Sequence, residues 1–296
     1  MFSRATKNSI LRITLASGLL SLALIASRPA QAQYLYGITN GGSLYEINPV
    51  SHSTTLVFTQ PLTTMTSANG LAWSEANQRM FYFGTVGSSL NFYTWNRTTG
   101  VQTQITGSLP AGTVSNGTYY GGYYWYVNSN SDNLIRVSFD FSNPNAPKVA
   151  SYMDFDHFGG VTDLGSYGFG DISVRASDGM LFGSSNKGVF RVNVATGIPI
   201  GFTSINSNTT LYQLGFGQDN VLYGEASASG AWYTMNTTTG NATSMGYSSS
   251  PVAFNDLSEG SVSGIAVPEP GSLGLLALAG LGALPLLRGK RQPDQA

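Results

Sequence analysis

The residues of this 296-residue chain most able to do chemistry are its acids, and they crowd one segment: Asp154, Asp156, His157, Asp163 and Asp171. Carboxylates are hard oxygen donors, which makes Asp154, Asp156 and Asp163 the candidates for holding a cation such as Ca2+. The segment lacks the ligand spacing and closing Glu of a helix–loop–helix calcium loop. Residues at i and i+2 of a strand share a face, so Asp154 and Asp156 would also need a cation or water between them. A solvated connection between two structural units is the plainer reading. Paired carboxylates can instead cleave glycosidic bonds, one as acid and one as base or nucleophile. Asp171, Asp256, Glu75 and Glu225 are the further acids to weigh for that role. Acyl transfer has less to stand on, because no G-x-S-x-G elbow occurs and His157 is the only His near acids. With no Cys there is neither a thiolate zinc site nor a disulfide framework. No cofactor is expected, no catalytic residue is assigned, and the chain is expected not to be an enzyme.

The other chemically suggestive residues are aromatic. Tyr119, Tyr120, Tyr123, Tyr124, Trp125 and Tyr126 form one run. Flat rings suit the apolar faces of sugars. Alternating aromatic residues on a strand also suit packing between sheets, and the run reads first as packing. His52 takes the place that Gly occupies in the turns of other units, so it is expected to be an exposed loop residue.

The elements that carry these residues are strands. Only 10% of residues are charged and the formal net charge is −1, so the basic surface that nucleic acid requires is missing. Fifteen Phe, sixteen Tyr and four Trp exclude global disorder by supplying a large core. Between Gln33 and Val267 seven Lys and Arg stand against thirteen Asp and Glu, a net charge of −6 that gives no strong electrostatic handle. Short apolar runs bounded by Asn, Gly, Ser and Asp indicate an all-β region.

That region repeats. Leu35-Tyr36-Gly37 precedes Leu44 to Asn48, Phe81 to Gly84 precedes Phe92 to Asn96, and Tyr124 to Val127 precedes Leu134 to Ser138. Leu181-Phe182-Gly183 then precedes Val189 to Asn193, and Leu222-Tyr223-Gly224 precedes Trp232 to Asn236. The second runs end at 48, 96, 138, 193 and 236, in steps of 48, 42, 55 and 43. N-x-x-T-G turns follow Asn96 and Asn236, whose residue types tolerate positive φ. Four strands in about 45 residues is the period of a propeller blade. The expected fold is therefore an all-β, five-bladed β-propeller over residues 33–266, with an open β-solenoid or irregular sandwich as the rival. The blades are expected at 33–61, 69–107, 116–155, 167–205 and 212–246. The first unit lacks an opening strand, and the stretch 252–260, with Ala253 to Ser258 as the strand, is expected to supply it and close the ring. The repeats loosely resemble the Leu-Tyr-Gly propellers of exported bacterial proteins.

Both ends read as addresses. Residues 1–32 have the basic start, apolar stretch and small residues at Ala30 and Ala32 of a signal peptide removed by signal peptidase. At the other end, Pro268-Glu269-Pro270 is followed by an uncharged span at 271–287 and by Arg288, Lys290 and Arg291. Seventeen such residues sit at the lower limit of a transmembrane helix, and the basic cluster would keep its end cytoplasmic. This order of parts over 267–291 resembles the PEP-CTERM sorting signal. The resemblance implies a single membrane helix before processing and recognition by an exosortase-type membrane protease. It also implies delivery to the cell surface or extracellular matrix, and association with exopolysaccharide or biofilm. The expected function is thus that of an exported, non-enzymatic binding or structural propeller. The alternatives are a lectin-like propeller and a polysaccharide hydrolase or lyase.

Overall fold

The structure, a computed structural model, describes residues 34–260 apart from 108, 110–113, 129–132, 142, 144–146, 155–167, 187, 196–199, 207–208, 227–228 and 248–251. Among the described residues there are twenty strands and no helix. They form five antiparallel four-stranded sheets. Four sheets use consecutive strands. The second blade is β4 (Met65–Ser74), β5 (Arg79–Val86), β6 (Ser89–Asn96) and β7 (Gln102–Ile105). The third is β8 (Thr118–Tyr120), β9 (Tyr123–Asn128), β10 (Asn133–Ser138) and β11 (Lys148–Asp154). The fourth is β12 (Phe169–Arg175), β13 (Met180–Ser185), β14 (Gly188–Asn193) and β15 (Ile200–Asn206), and the fifth is β16 (Tyr212–Phe216), β17 (Leu222–Ala226), β18 (Ala231–Met235) and β19 (Ala242–Tyr247).

The first blade is assembled from both ends of the domain. β1 (Leu35–Ile38), β2 (Leu44–Ile47) and β3 (Thr54–Phe58) follow one another, and β20 (Asp256–Ser258) adds the innermost strand. Tyr36 pairs with Ser258, Gly37 with Leu257 and Ile38 with Asp256. The chain is an all-β, five-bladed propeller whose ring is closed by its last described strand.

Alternation along each strand explains why the apolar runs are nearly continuous. Successive side chains point to opposite faces, and in a propeller both faces of a blade are covered. Met80 and Tyr82 pack toward the first blade with Tyr36 and Leu44, whereas Phe81 and Phe83 pack toward the third with Tyr124 and Tyr126. Trp125 and Val127 then meet Phe169 and Ile172 of the fourth blade. Phe182 meets Leu214 and Phe216 of the fifth, and Tyr223 and Trp232 meet Leu35 and Leu257 of the first. Five interfaces between five blades make the core a continuous ring.

The repeated turn has a clear local cause. The Asn96 side chain accepts the Thr99 N–H at 2.9 Å, and Gly100, at φ 70°, donates its N–H to the Asn96 carbonyl at 2.8 Å. Asn236 and Gly240 do the same in the fifth blade. In the first blade Asn48 plays the Asn role and His52 holds the left-handed position, at φ 57°. The expectation of an exposed His52 is overturned: it is only 6% exposed, stacked on Trp232 at 5.3 Å. The apolar face of its ring fills the junction between the fifth and first blades, which no turn pattern announces.

Candidate functional site

The inner strands β20, β4, β8, β12 and β16 surround the axis, where each has a free edge. A buried edge must satisfy its N–H groups, and here side chains from neighbouring blades do so. The Asp256 and Ser258 oxygens accept the N–H groups of Leu71 and Trp73 at 2.8 and 2.9 Å. Asp171 and Ser173 accept those of Leu214 and Phe216 at 2.9 and 3.2 Å. Thr118 accepts the Val174 N–H at 3.2 Å, while Asn116 donates to the Gly170 carbonyl at 3.3 Å. Asp-Leu-Ser, Asp-Ile-Ser and Asn-Gly-Thr are thus one Asx-x-hydroxyl latch repeated in three blades. Where the second blade has Gly70 and Ala72 at this place, the Tyr124 hydroxyl donates to the Gly70 carbonyl at 2.6 Å. Gly70 sits at φ 69°, and a Cβ there would meet that hydroxyl at 2.6 Å, so only glycine fits.

Asp171 and Asp256 come together on the axis from the fourth and first blades. Both have 0% exposure and they hydrogen-bond to each other. Burial, then the neighbouring carboxyl, pushes Asp171 well above the usual carboxylate range. Burial also lifts Asp256, partly offset by the Leu71 and Leu257 N–H groups. Two carboxyls sharing a buried site disfavour each other's ionisation, so the pair resists giving up its protons well above the usual carboxylate range. Neither oxygen pair is presented to solvent, and a substrate has no path to them in this conformation.

Hollows lie at the two ends of this plug. At the amino-terminal ends of the inner strands is one of about 510 Å3, lined by Asn69, Ser115, Phe169, Thr210, Gln213 and Asn255 among others. At the carboxyl-terminal ends is one of about 310 Å3, lined by Trp73, Glu75, Tyr119, Tyr120, Gln218 and Glu259 among others. Glu75 accepts from the Trp73 indole at 2.9 Å and from Gln78 at 3.0 Å. Glu259 reaches across from the first blade to the third. It accepts the Tyr119 N–H at 3.0 Å and the hydroxyls of Thr118 and Ser258 at 3.2 and 3.0 Å. Burial pushes its carboxyl up to about 7 despite these donors. The Gln218 amide has no hydrogen-bond partner among the described residues. A third hollow, about 160 Å3, opens between the third and fourth blades and shares Tyr120 and Gly121 with the second.

The residues singled out in the sequence fall into different places. The aromatic run divides: Tyr124 and Tyr126 are core, Trp125 is buried under the third hollow, and Tyr119, Tyr120 and Tyr123 are half-buried on hollow walls. Of the four acids weighed for hydrolysis, Asp171 and Asp256 meet but are sealed, and Glu75 lines the second hollow. Glu225 is 3% exposed within the fifth blade, its Oε2 without a hydrogen-bond partner among the described residues, and burial pushes it up to about 7. Asp154 ends β11, while Asp156, His157 and Asp163 lie outside the described residues, as do Ala30, Ala32, Pro268, Glu269, Pro270, Arg288, Lys290 and Arg291. Among the described residues no three His, Asp or Glu gather as a metal site, and no helix is long and apolar enough to cross a membrane. Glu259 escaped sequence reasoning because it lies just past the repeat. The latch was signalled by Asp-x-Ser recurring at 171–173 and 256–258.

These features define a five-bladed propeller with a plugged axis and hollows at both mouths. No protein family and no curated protein matches the chain. Solved structures with a similar course include an auxiliary nutrient binding protein from Bacteroides thetaiotaomicron, at 11% identity and TM-score 0.49, covering 71% of this chain and 53% of that one. This chain therefore spans about half of that protein. A structure from a nidogen/laminin complex is 10% identical with TM-score 0.47, covering 76% and 97%. A catalytically inactive virginiamycin B lyase from Staphylococcus aureus is 14% identical with TM-score 0.43, covering 73% and 71%.

Proposed function

We propose that this chain is an exported propeller with a non-enzymatic binding role in an exopolysaccharide matrix, delivered by signal peptidase and an exosortase-type protease. The observation that carries the binding reading is how the acids are used. Asp171 and Asp256, the carboxyls that meet at the axis, are sealed and bonded to each other and to the inner strands. The hollows at the two mouths are walled mainly by aromatic rings, amides and hydroxyls, with Glu75 and Glu259 in the second, and such walls suit reversible contact with a hydroxylated ligand. Support for export comes from the two ends of the sequence. The test is a glycan array probed with protein recovered after export of the full chain, where retention of a polysaccharide class is expected. Binding to no glycan would overturn the reading.

A second reading, hydrolysis, is favoured by Glu75 and Glu259 lining one hollow, with Glu259 near 7 as an acid would need to be. Release of reducing ends from a bound glycan, abolished by Glu259→Gln, would select it over the first.

A further inference from the structure

Resting on the glycan reading, we propose that the second hollow takes an uncharged sugar residue and that the side-chain amide of Gln218 holds two neighbouring hydroxyls of it. All five blades reach this hollow, Glu259 from the first, Glu75 from the second, Gly121 from the third, Ala176 from the fourth and Gln218 from the fifth. Its two acids are already engaged. Glu75 accepts from Trp73 and Gln78, and Glu259 from Tyr119, Thr118 and Ser258. The Tyr119 hydroxyl accepts from the Asn77 amide at 3.2 Å. Gln218 differs: its Oε1 and Nε2 are both buried, and neither has a hydrogen-bond partner among the described residues. An amide buried and unpaired on both sides costs stability. In the wall of a hollow, such a group marks where a ligand supplies the bonds.

The backbone beneath that amide is fixed. Gly217 donates its N–H to the Val221 carbonyl at 2.9 Å and accepts the Asn220 N–H at 3.0 Å. Asp219 accepts the Val221 N–H and the Tyr223 hydroxyl, each at 3.0 Å. A Cβ at position 217 would meet Asp219 Oδ1 at 2.5 Å, which is why the turn opens with glycine. The Gln218 side chain above this turn is untied, so rotating its outer torsions carries the amide into the hollow without breaking a hydrogen bond. There it needs a donor and an acceptor side by side. Each sugar hydroxyl is both, and its hydrogen rotates to suit, so a neighbouring pair meets the amide in either sense. Trp73, Tyr119, Tyr120 and Phe216 line the same hollow and offer flat surfaces to the apolar face of a sugar ring. With Glu75 and Glu259 in the wall and no Lys or Arg, the hollow disfavours an anion.

The experiment is titration calorimetry on protein purified after export of the full chain, with a melting curve for each variant. The probes are the neutral trisaccharides of glucose, galactose and mannose, their fully O-methylated forms, a tri-galacturonate, and a neutral tripeptide blocked at both ends. At least one neutral trisaccharide should bind. Its methylated form, which keeps acceptors and loses every donor, should not. Gln218→Leu should weaken binding about five- to a hundredfold, the span for losing two neutral hydrogen bonds. It should also melt at or above the wild-type temperature, because it removes an unpaired buried amide; a residue that only held the fold would melt lower. Gln218→Glu keeps acceptors and loses the donor, and should weaken binding too. Trisaccharide binding unaffected by both substitutions would overturn this site and leave the glycan reading standing. Gln218→Leu melting well below the wild type would overturn the unpaired amide. Equal binding of the methylated form would overturn the hydroxyl pair, equal or tighter binding of tri-galacturonate the uncharged sugar, and equal binding of the tripeptide the saccharide class. No saccharide bound here and none retained on the glycan array would overturn both this proposal and the reading it rests on.

Discussion

Ending the chain at Val252 deletes β20, and the structure lets the damage be sized. Leu257 is 0% exposed and Phe254 5%, and burying each such side chain stabilises by about 1.5–3 kcal/mol. The deletion also removes three paired residues beside β1, each net about 1 kcal/mol, and takes away the acceptors of the Leu71 and Trp73 N–H groups. It strands those two N–H groups at the axis, for about 1–3 kcal/mol apiece. The total, of order 10 kcal/mol, compares with about 5–15 kcal/mol for a whole domain. A chain ending at Val252 should therefore not hold a closed ring, while one ending at Val267 should melt like the full domain. Leu257→Ala gives a graded version. It should cost about 2–5 kcal/mol, or about 4–20 °C of melting temperature at about 2–4 °C per kcal/mol. Scanning calorimetry with near-ultraviolet circular dichroism measures both. Equal melting of the chains ending at Val252 and Val267 would refute the argument that the last strand closes the ring.

Three further outcomes follow from buried or terminal groups. Asp256, Glu259 and Glu225 are each pushed up to about 7 by burial, so between about pH 4 and 7 the folded chain holds protons that the unfolded chain has lost, and stability falls as pH rises. Asp171→Asn keeps an acceptor for the Leu214 N–H and gains a donor for Asp256. Burial and the Asp256 carboxyl also raise Asp171 well above the usual carboxylate range, so removing its titration should make the slope shallower and stabilise the fold at pH 8; an unchanged slope in thermal melts would argue against a proton held by this pair. Burial holds His52 below its ordinary 6.5, so its contribution is present above that pH and lost as pH falls below it. His52→Gly suits φ 57° but loses the Trp232 stack, and should cost about 1 kcal/mol by chemical denaturation; a stabilised variant would show that the turn outweighs the stack. Replacing Pro268, Glu269 and Pro270 together with Ala should hold a folded propeller in the inner membrane, and undiminished release, followed by fractionation, would count against exosortase sorting.

What was legible in the sequence is what repetition writes down. Blade count and ring closure followed from the spacing of Leu-Tyr-Gly-like runs and from the missing opening strand of the first unit, because strand order in a blade is local. Contacts across the axis are not local. In the sequence Asp171 and Asp256 are two further acids in opening strands; the latch they form to the neighbouring inner strands is a finding of the structure. Nothing in either segment told that the first and fourth blades would bring the two carboxyls into hydrogen-bonding distance. That requires the ring to be narrow enough for non-adjacent inner strands to touch, a property set by five blades rather than by either strand. Glu259 follows the same rule: one residue beyond the closing strand, it reaches the third blade only because the ring brings Thr118 and Tyr119 within range. The aromatic run failed to sort itself for a related reason. Alternation assigns Tyr124 and Tyr126 to one face and Tyr123 and Trp125 to the other, but both faces of a blade meet neighbours. Whether a ring is packed or left at the wall of a hollow depends on what the next blade sets against it. Among the described residues, the fourth blade sets Val194 and Ala195 at the wall of the third hollow that Tyr123 also lines, a juxtaposition that alternation along β9 alone does not give.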